Sequence, residues 1–396
     1  VALDPSSATV TVPPTVVVAT KGSADDSSTT TEPEGPTSST TTTTEPIRIT
    51  VAAVGDVLTH TPVIESARDV YDGSYDFRPI FAPMAPYLRR ADYTVANLES
   101  RLAGPEWGYS GFPIFNSPQQ LAPALRWAGV DLVATANNHA MDTGWEGLVT
   151  TLDNLDEAGL AHVGTYRSAE ERATPVVVEI QGIRVGFVNG AAGASGKALP
   201  ADKQFAVSGL DVDQIIEDAM TARVWGADIV IAMVHFGDEY DREPTEQQEE
   251  ITKSLMSGGV DVVLGSHPHV VQRIEHVFQY SGWKVTNKYV AYSLGNFVSS
   301  QRWRYSDSGL VVYVHLEKRG LRTYVNGLSY LPVYVQQSEV SGRTAFRVLP
   351  VLPGLEPDSD LPITPAEEAR MAEVWEELRP LLYRPNENIS PLSPGG

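Results

Sequence analysis

The sequence predicts an α/β domain layered around mixed β-sheets, and three observations carry that reading. Short apolar runs rich in β-branched residues alternate with stretches whose apolar residues recur every three or four positions, the pattern of strands exchanging with helices. Several of these runs are apolar without interruption, as strands are when both faces of their sheet are covered. One pair of runs, Val176 to Ile180 and Ile183 to Val188, is joined by Gln181-Gly182 and reads as a hairpin, which puts antiparallel pairing into an otherwise parallel pattern.

Residues 1–46 stand apart. From Thr20 to Pro46 the chain is almost wholly Thr, Ser, Glu, Asp, Pro and Gly, a composition that cannot form a core and that suits an extended stalk or linker. A stalk points to a location outside the cytoplasm, at the cell envelope or secreted. The first residues carry neither a basic n-region nor a long apolar h-region, so a signal or anchor has been removed or none existed.

The main domain is expected over 47–319. Its strands are Ile47 to Leu58, Tyr93 to Leu98, Val130 to Thr135, the hairpin pair, Ile229 to Val234, Val260 to Leu264, Tyr289 to Leu294 and Leu310 to Leu316. Helical spacing appears in Ser117 to Ala128, Gly147 to Ala158, Asp211 to Trp225 and Thr245 to Ser257. A C-terminal extension, 320–396, opens with two or three further strands turning at Asn326-Gly327 and Ser341-Gly342, followed by a loop over 353–362. Thr364-Pro365-Ala366-Glu367 then supplies an N-cap, a first-turn Pro and a capping-box Glu for a helix over about 365–383, and Asn386 to Gly396 reads as a polar tail.

Charge and composition exclude several functions. With 29 Lys and Arg against 50 Asp and Glu, the net charge of -21 argues against capture of nucleic acid or an anionic membrane surface. Zero cysteines removes disulfides, thiolate metal sites and cysteine nucleophiles together. No apolar run reaches the roughly 18 residues that a membrane-spanning helix needs.

The chemistry sits where strands end. Six apolar runs terminate in residues able to bind metal or move protons: Gly55-Asp56, Asn97-Leu98-Glu99, Asn137-Asn138-His139 with Asp142 beyond, His235-Phe236-Gly237-Asp238-Glu239, Gly265-Ser266-His267-Pro268-His269, and Ser293-Leu294-Gly295-Asn296. In an open α/β sheet the carboxyl ends of the strands form one rim where ligand sites collect. His267-Pro268-His269 is the strongest local signal, two imidazoles expected in extended geometry around a stiff Pro. His162, His276 and His315 read as ordinary residues, and His60 either approaches the site or caps the next helix. Oxygen and nitrogen donors without sulfur suit one or two divalent ions of the Mn, Fe, Zn or Mg type, and two such ions with a bridging carboxylate serve phosphate-ester cleavage.

The ordered motifs Gly55-Asp56-Val57, Asn97-Leu98-Glu99-Ser100, Ala136 to Gly144, Val234 to Tyr240, Gly265 to His269 and Ser293 to Phe297 resemble the calcineurin-like metallophosphoesterase superfamily and, within it, the bacterial capsule-synthesis CapA family linked to poly-γ-glutamate biosynthesis. The resemblance covers about Ile47 to Val298. It implies a four-layer α-β-β-α sandwich with two mixed sheets, tethered outside the cytoplasmic membrane, with membrane-bound capsule-synthesis proteins as partners. Carried over by position, Asp56 and His269 would bind a first ion, Glu99 would bridge, and Asn138, His235 and His267 would bind a second. His139 would protonate a leaving group, with Asp142 orienting it. Two departures from the wider superfamily stand out: Leu58 occupies the place of a ligand His, and Glu99 that of a bridging Asp. Three functions compete: an accessory factor for an anionic glutamate polymer, a secreted phosphomonoesterase or phosphodiesterase acting on phosphate esters, and a non-catalytic binding module for an anionic polymer. Arg302, Trp303, Arg304 and Tyr305 are a candidate basic patch for polymer contact.

Overall fold

The computed structural model describes residues 17–18, 45–193, 197–281, 284–354, 363–382 and 388–393. The strands are β1 (Val17–Val18), β2 (Ile47–Val57), β3 (Tyr93–Leu98), β4 (Leu132–Ala134), β5 (Ala161–Val163), β6 (Val176–Ile180), β7 (Ile183–Ala191) and β8 (Ile229–His235). They continue with β9 (Val262–Ser266), β10 (Ile274–Ser281), β11 (Lys284–Ala291), β12 (Asn296–Val298), β13 (Ser308–Arg319), β14 (Arg322–Val340), β15 (Arg343–Pro350) and β16 (Ile389–Pro391). Helices are α1 (Thr61–Ser66), α2 (Arg78–Phe81), α3 (Ala85–Leu88), α4 (Leu121–Ala128), α5 (Gly144–Glu157), α6 (Ala169–Ala173), α7 (Val212–Val224), α8 (Glu246–Ser257) and α9 (Pro365–Leu382).

Two mixed sheets result. One runs β1-β6-β7-β8-β9-β11-β10; the other runs β15-β14-β13-β2-β3-β4-β5, with β12 beside β2 and β16 beside β14. The side-chain alternation of strands assigns each sheet two jobs. In β2, Val51 and Ala53 face the other sheet, meeting Phe187, Ile231, Met233 and Leu264 in the central core, whereas Ala52 and Val54 face a helical layer with Phe77, Phe81, Leu125 and Leu148. On the far side, Val230, Ala232 and Val263 pack under α7 and α8 through Ile215, Ala219, Leu255 and Met256. The layers therefore run helix, sheet, sheet, helix, and the central parallel strands β3, β4, β8 and β9 are buried along their whole length, which is why those runs are continuously apolar.

Turn chemistry explains the hairpins. Gln181 and Gly182 both adopt positive φ (48° and 87°) in the two-residue turn joining β6 to β7, as do Ser341 and Gly342 (53° and 75°) between β14 and β15. Asn326-Gly327, expected to be a turn, lies inside β14. The register skips there, His315 facing Gly327 and Leu316 facing Val325, so Asn326 is the extra residue of a bulge. The reversal occurs instead at Gly320-Leu321, where Arg319 faces Arg322. β14 thus continues directly from β13, and α9 buries Val374, Leu378 and Leu382 against the central core. Thr364 caps α9: its hydroxyl accepts from Glu367 N, and Glu367 Oε2 accepts from Thr364 N at 2.7 Å. The expected polar tail is partly structured, because Ile389–Pro391 pairs with Leu328–Tyr330.

The stalk reading of 1–46 falls almost entirely outside the described residues; within it, Val17 and Val18 pair in parallel with Val178 and Glu179. The loop reading of 353–362 lies outside them beyond Gly354. Among the described residues no helix is long and apolar enough to cross a membrane.

Candidate metal centre

Both sheets deliver residues to one seam. Asp56 lies at the end of β2, Glu99 follows β3, and Asn138 and His139 follow β4, all in one sheet; His235 closes β8, and His267 and His269 follow β9 in the other. Between β11 and β12 the chain crosses from one sheet to the other, and two glycines make that crossing fit. Asp56 N donates to Gly295 O at 2.9 Å, and a Cβ on Gly55 would lie 1.9 Å from that same oxygen. A Cβ on Gly265 would lie 1.8 Å from Tyr292 O. Strand ends can approach this closely only where a side chain is missing.

The His267-Pro268-His269 segment is not extended, contrary to expectation. Both imidazole-bearing residues take positive φ, 98° and 58°, so the segment turns and points its rings inward together. Such backbone persists where its surroundings fix it. Here Tyr240 N donates to Pro268 O at 2.8 Å, and Asn296 Nδ2 donates to His269 O at 3.2 Å.

The side chains converge. His269 Nδ1 lies 3.0 Å from Asp56 Oδ2, the His235 and His267 rings are 4.7 Å apart, and His235 Nε2 is 3.0 Å from Asn138 Oδ1 and 3.5 Å from Glu99 Oε1. Ligand atoms of Asp56, Glu99 and His235 fall within 4.8 Å of one another, as do those of Glu99, His267 and His269, so Glu99 is common to both groups. All the sequence-selected residues are brought to this locality. His139 and Asp142 form a pair beside it, with Nδ1 to Oδ2 at 2.8 Å. Asp142 Oδ2 also accepts from Phe115 N at 2.7 Å, which fixes the carboxylate and leaves His139 Nε2 as the free ring nitrogen of that pair.

Donors, burial and unpaired atoms together fit a divalent cation. Glu99 is 0 % exposed, yet its Oε1 has no hydrogen-bond partner, and the same holds for His267 Nδ1. Buried polar atoms are otherwise almost always paired, and an unpaired one calls for an explanation such as an ion. Burial, then the nearby charges of Asp56 and Glu239, push the Glu99 carboxyl well above its ordinary range. Burial, followed by the His267 ring, holds His235 well below its ordinary value; burial and the His269 ring lower His267. Neutral imidazoles are the ligand form, and a cation would relieve the carboxylate crowding.

Several residues of the site escaped sequence reasoning. Arg101 is 0 % exposed; its guanidinium donates to Leu98 O at 2.8 Å and lies 3.4 Å from Thr135 O and 3.5 Å from Asn137 Oδ1, tying together the two strand ends that carry Glu99 and His139. Burial lowers its pKa to about 10. Its one signal was position, two residues after Glu99. Asn97 Nδ2 donates to Asp56 Oδ1 at 2.8 Å, and Ser266 Oγ lies 2.9 Å from His235 Nδ1, the kind of partner that fixes a ligand tautomer. His60 occupies the N-cap position of α1 without a side-chain capping bond. Its ring sits 5.1 Å from Phe115, itself 4.6 Å from His139, and burial lowers its pKa to about 4.

The two-sheet α/β sandwich thus gathers buried carboxylates and imidazoles at its strand ends into a candidate metal site. The family is given by sequence. A profile described as bacterial capsule synthesis protein PGA_cap matches residues 50–301, and the chain belongs to that family. It is 28% identical over 298 residues to the capsule biosynthesis protein CapA of Bacillus anthracis, covering 73% of this chain and 68% of that protein. It is 31% identical over 246 residues to the PGA biosynthesis protein CapA of Bacillus subtilis strain 168, covering 61% of this chain and 62% of that one. Solved structures with similarity include the NAD nucleotidase NadN of Haemophilus influenzae (10% identity, 88% of this chain and 58% of that one, TM-score 0.46). Another is the calcineurin-like phosphoesterase YfkN of Bacillus subtilis (13% identity, 85% and 98%, TM-score 0.42).

Proposed function

We propose that this chain acts outside the cytoplasmic membrane as an accessory factor in making, exporting or anchoring an anionic γ-linked glutamate polymer, beside membrane-bound capsule-synthesis proteins. The observation that carries the reading is the buried Asp56, Glu99, His235, His267 and His269 cluster with its unpaired Glu99 Oε1 and His267 Nδ1, set in a chain of the capsule-synthesis family. These five residues, with Asn138, would hold one or two divalent ions of the Mn, Fe, Zn or Mg type. Bound there, the ions would supply electrophilic polarisation of a carboxylate or phosphate oxygen. His139, oriented by Asp142, would hold a proton at Nε2 for a departing group.

The His139 and Asp142 pair favours one second reading, a secreted phosphomonoesterase or phosphodiesterase, because a non-catalytic binding module has no need of an oriented proton donor. Leu58 argues for slow turnover of generic esters, since it stands where the wider superfamily has a ligand. The test is complementation of a polymer-making host that lacks the protein. Surface poly-γ-glutamate should be restored by the wild type and not by an Asp56→Ala, His267→Ala double variant. Rapid turnover of simple phosphate esters would favour the phosphoesterase, and full rescue by the double variant would favour the metal-independent binding module.

A further inference from the structure

At the mouth of the site two aromatic faces and a carboxylate stand together without a cation. Tyr240 lies 6.1 Å from the His269 ring and 6.2 Å from Trp303, inclined at 56° to it, so the two faces form an open V beside the metal cluster. Tyr240 is held in place: its φ is +65°, its N–H is bonded to Pro268 O, and its hydroxyl accepts from Gln301 Nε2 at 3.0 Å. Trp303 is 66% exposed. Glu239 is exposed, adjoins Tyr240 in the chain, and is one of the charges acting on Glu99, His267 and Tyr240.

At several other rings the protein supplies a cation itself, although among the described residues the exposed Tyr71 and Tyr280 also lack one. Arg or Lys side chains lie over Tyr87, Trp107, Trp127, Trp145, Tyr166, Tyr292 and Tyr305, whereas among the described residues none lies over Tyr240 or Trp303 and Glu239 makes no ion pair. The neighbouring arginines are committed to other contacts. Arg302, part of the expected basic patch, donates to Gln301 O at 2.6 Å and Val335 O at 3.3 Å and stacks on Phe346. Arg304 and Arg242 both stack on Tyr305, and Arg242 donates to Glu377 O at 2.6 Å. The segment is therefore not a free basic patch, and what it leaves open at the site suits a cation.

We infer that Tyr240, Trp303 and Glu239 form a subsite for a primary ammonium group, placed so that a ligand whose carboxylate or phosphate reaches the metal cluster sets its amine against these two rings and this carboxylate. Aromatic faces attract cations through their quadrupole, and a carboxylate adds a charge-assisted hydrogen bond. The inference rests on the proposed polymer role and makes it specific: the site reads the amino-terminal end of a γ-linked glutamate chain, not its interior, where every nitrogen is a neutral amide.

The test is calorimetric titration of the metal-loaded protein with a γ-linked glutamate tetramer carrying a free amino terminus, and with its N-acetyl counterpart. The free form should bind about tenfold more tightly, as expected of two partly exposed cation–aromatic contacts together with one charge-assisted hydrogen bond. In Glu239→Gln and Trp303→Ala the ratio should fall towards 1, with metal content by elemental analysis unchanged. Equal affinity of the wild type for the two tetramers would overturn the ammonium subsite and leave the polymer role standing. Loss of metal in Glu239→Gln would make that residue a metal ligand and overturn the subsite too. Failure of both tetramers to bind would remove the polymer role together with the subsite.

Discussion

Glu99→Gln should change stability in opposite directions with and without metal. In the metal-free protein Glu99 is fully buried; Oε1 is unpaired and Oε2 has only a 3.4 Å contact with Asn97 Nδ2. Asp56 adds like-charge repulsion, and the raised pKa expresses the same cost. A neutral amide of the same shape removes an uncompensated buried charge, so the chelated variant should be more stable than wild type by about 1–3 kcal/mol, or a few degrees in Tm. With metal the order reverses. Wild type should gain about 3 kcal/mol at an ion concentration a hundredfold above its Kd, whereas the variant, lacking the carboxylate common to both ligand groups, should gain little. Thermal unfolding in EDTA and in a manganese or zinc titration measures both limbs. If Glu99→Gln lowers Tm equally in both conditions, Glu99 is an ordinary structural residue and the reasoning fails.

Three further outcomes are expected. His235→Ala or His267→Ala should lower metal content, whereas His139→Ala should keep metal and abolish turnover; the reverse pattern in elemental analysis would overturn the assigned roles. His60, His235 and His267 are held below the ordinary 6.5, so in the metal-free folded state these three rings bind fewer protons than in the unfolded chain; they outnumber the single raised carboxyl of Glu99, which acts in the opposite direction, and stability should fall as pH drops from about 6.5 towards 4. Melting curves across that range check this, with His60→Asn expected to flatten part of the slope. Gly265→Ala would press a methyl group to within 1.8 Å of a backbone oxygen, so it should cost several kcal/mol or block folding, whereas Ala at the open Gly259 position should cost far less despite its positive φ. Soluble yield and Tm separate the two.

The parallel strands and the site were legible in the sequence for one reason: a strand covered on both faces must be apolar, so a carboxylate, amide or imidazole at its end is conspicuous. Asp56, Glu99, Asn138, His235 and His267 all announced themselves in that way. Elements without such contrast were missed. Helices α1, α2 and α3 have only six, four and four residues, too few to show a helical period, and each carries at its second position a Pro that reads as a break. β10 and β11 form an antiparallel pair whose turn end exposes Phe278, Tyr280 and Val285, so burial left no pattern to find there. Asn326-Gly327 misled because the pair that favours a hairpin turn also favours a bulge, and only the partner strand decides between them. Arg101 was hidden because a buried arginine cannot be told from a surface one by type.

The seam between the sheets also sets a timetable. Asp56 and His269, in contact at 3.0 Å, are separated by 213 positions, and the first sheet's donors all precede the second sheet's imidazoles in the chain. A nascent chain that has reached residue 234 already carries Asp56, Glu99, Asn138 and His139 but none of the three imidazoles that face them. An ion drawing on donors from both sheets would therefore be captured only once the later half of the domain has been synthesised and docked. Cleavage anywhere between Asn138 and His235 would likewise divide the donors between two fragments, so that neither piece alone would carry the full set.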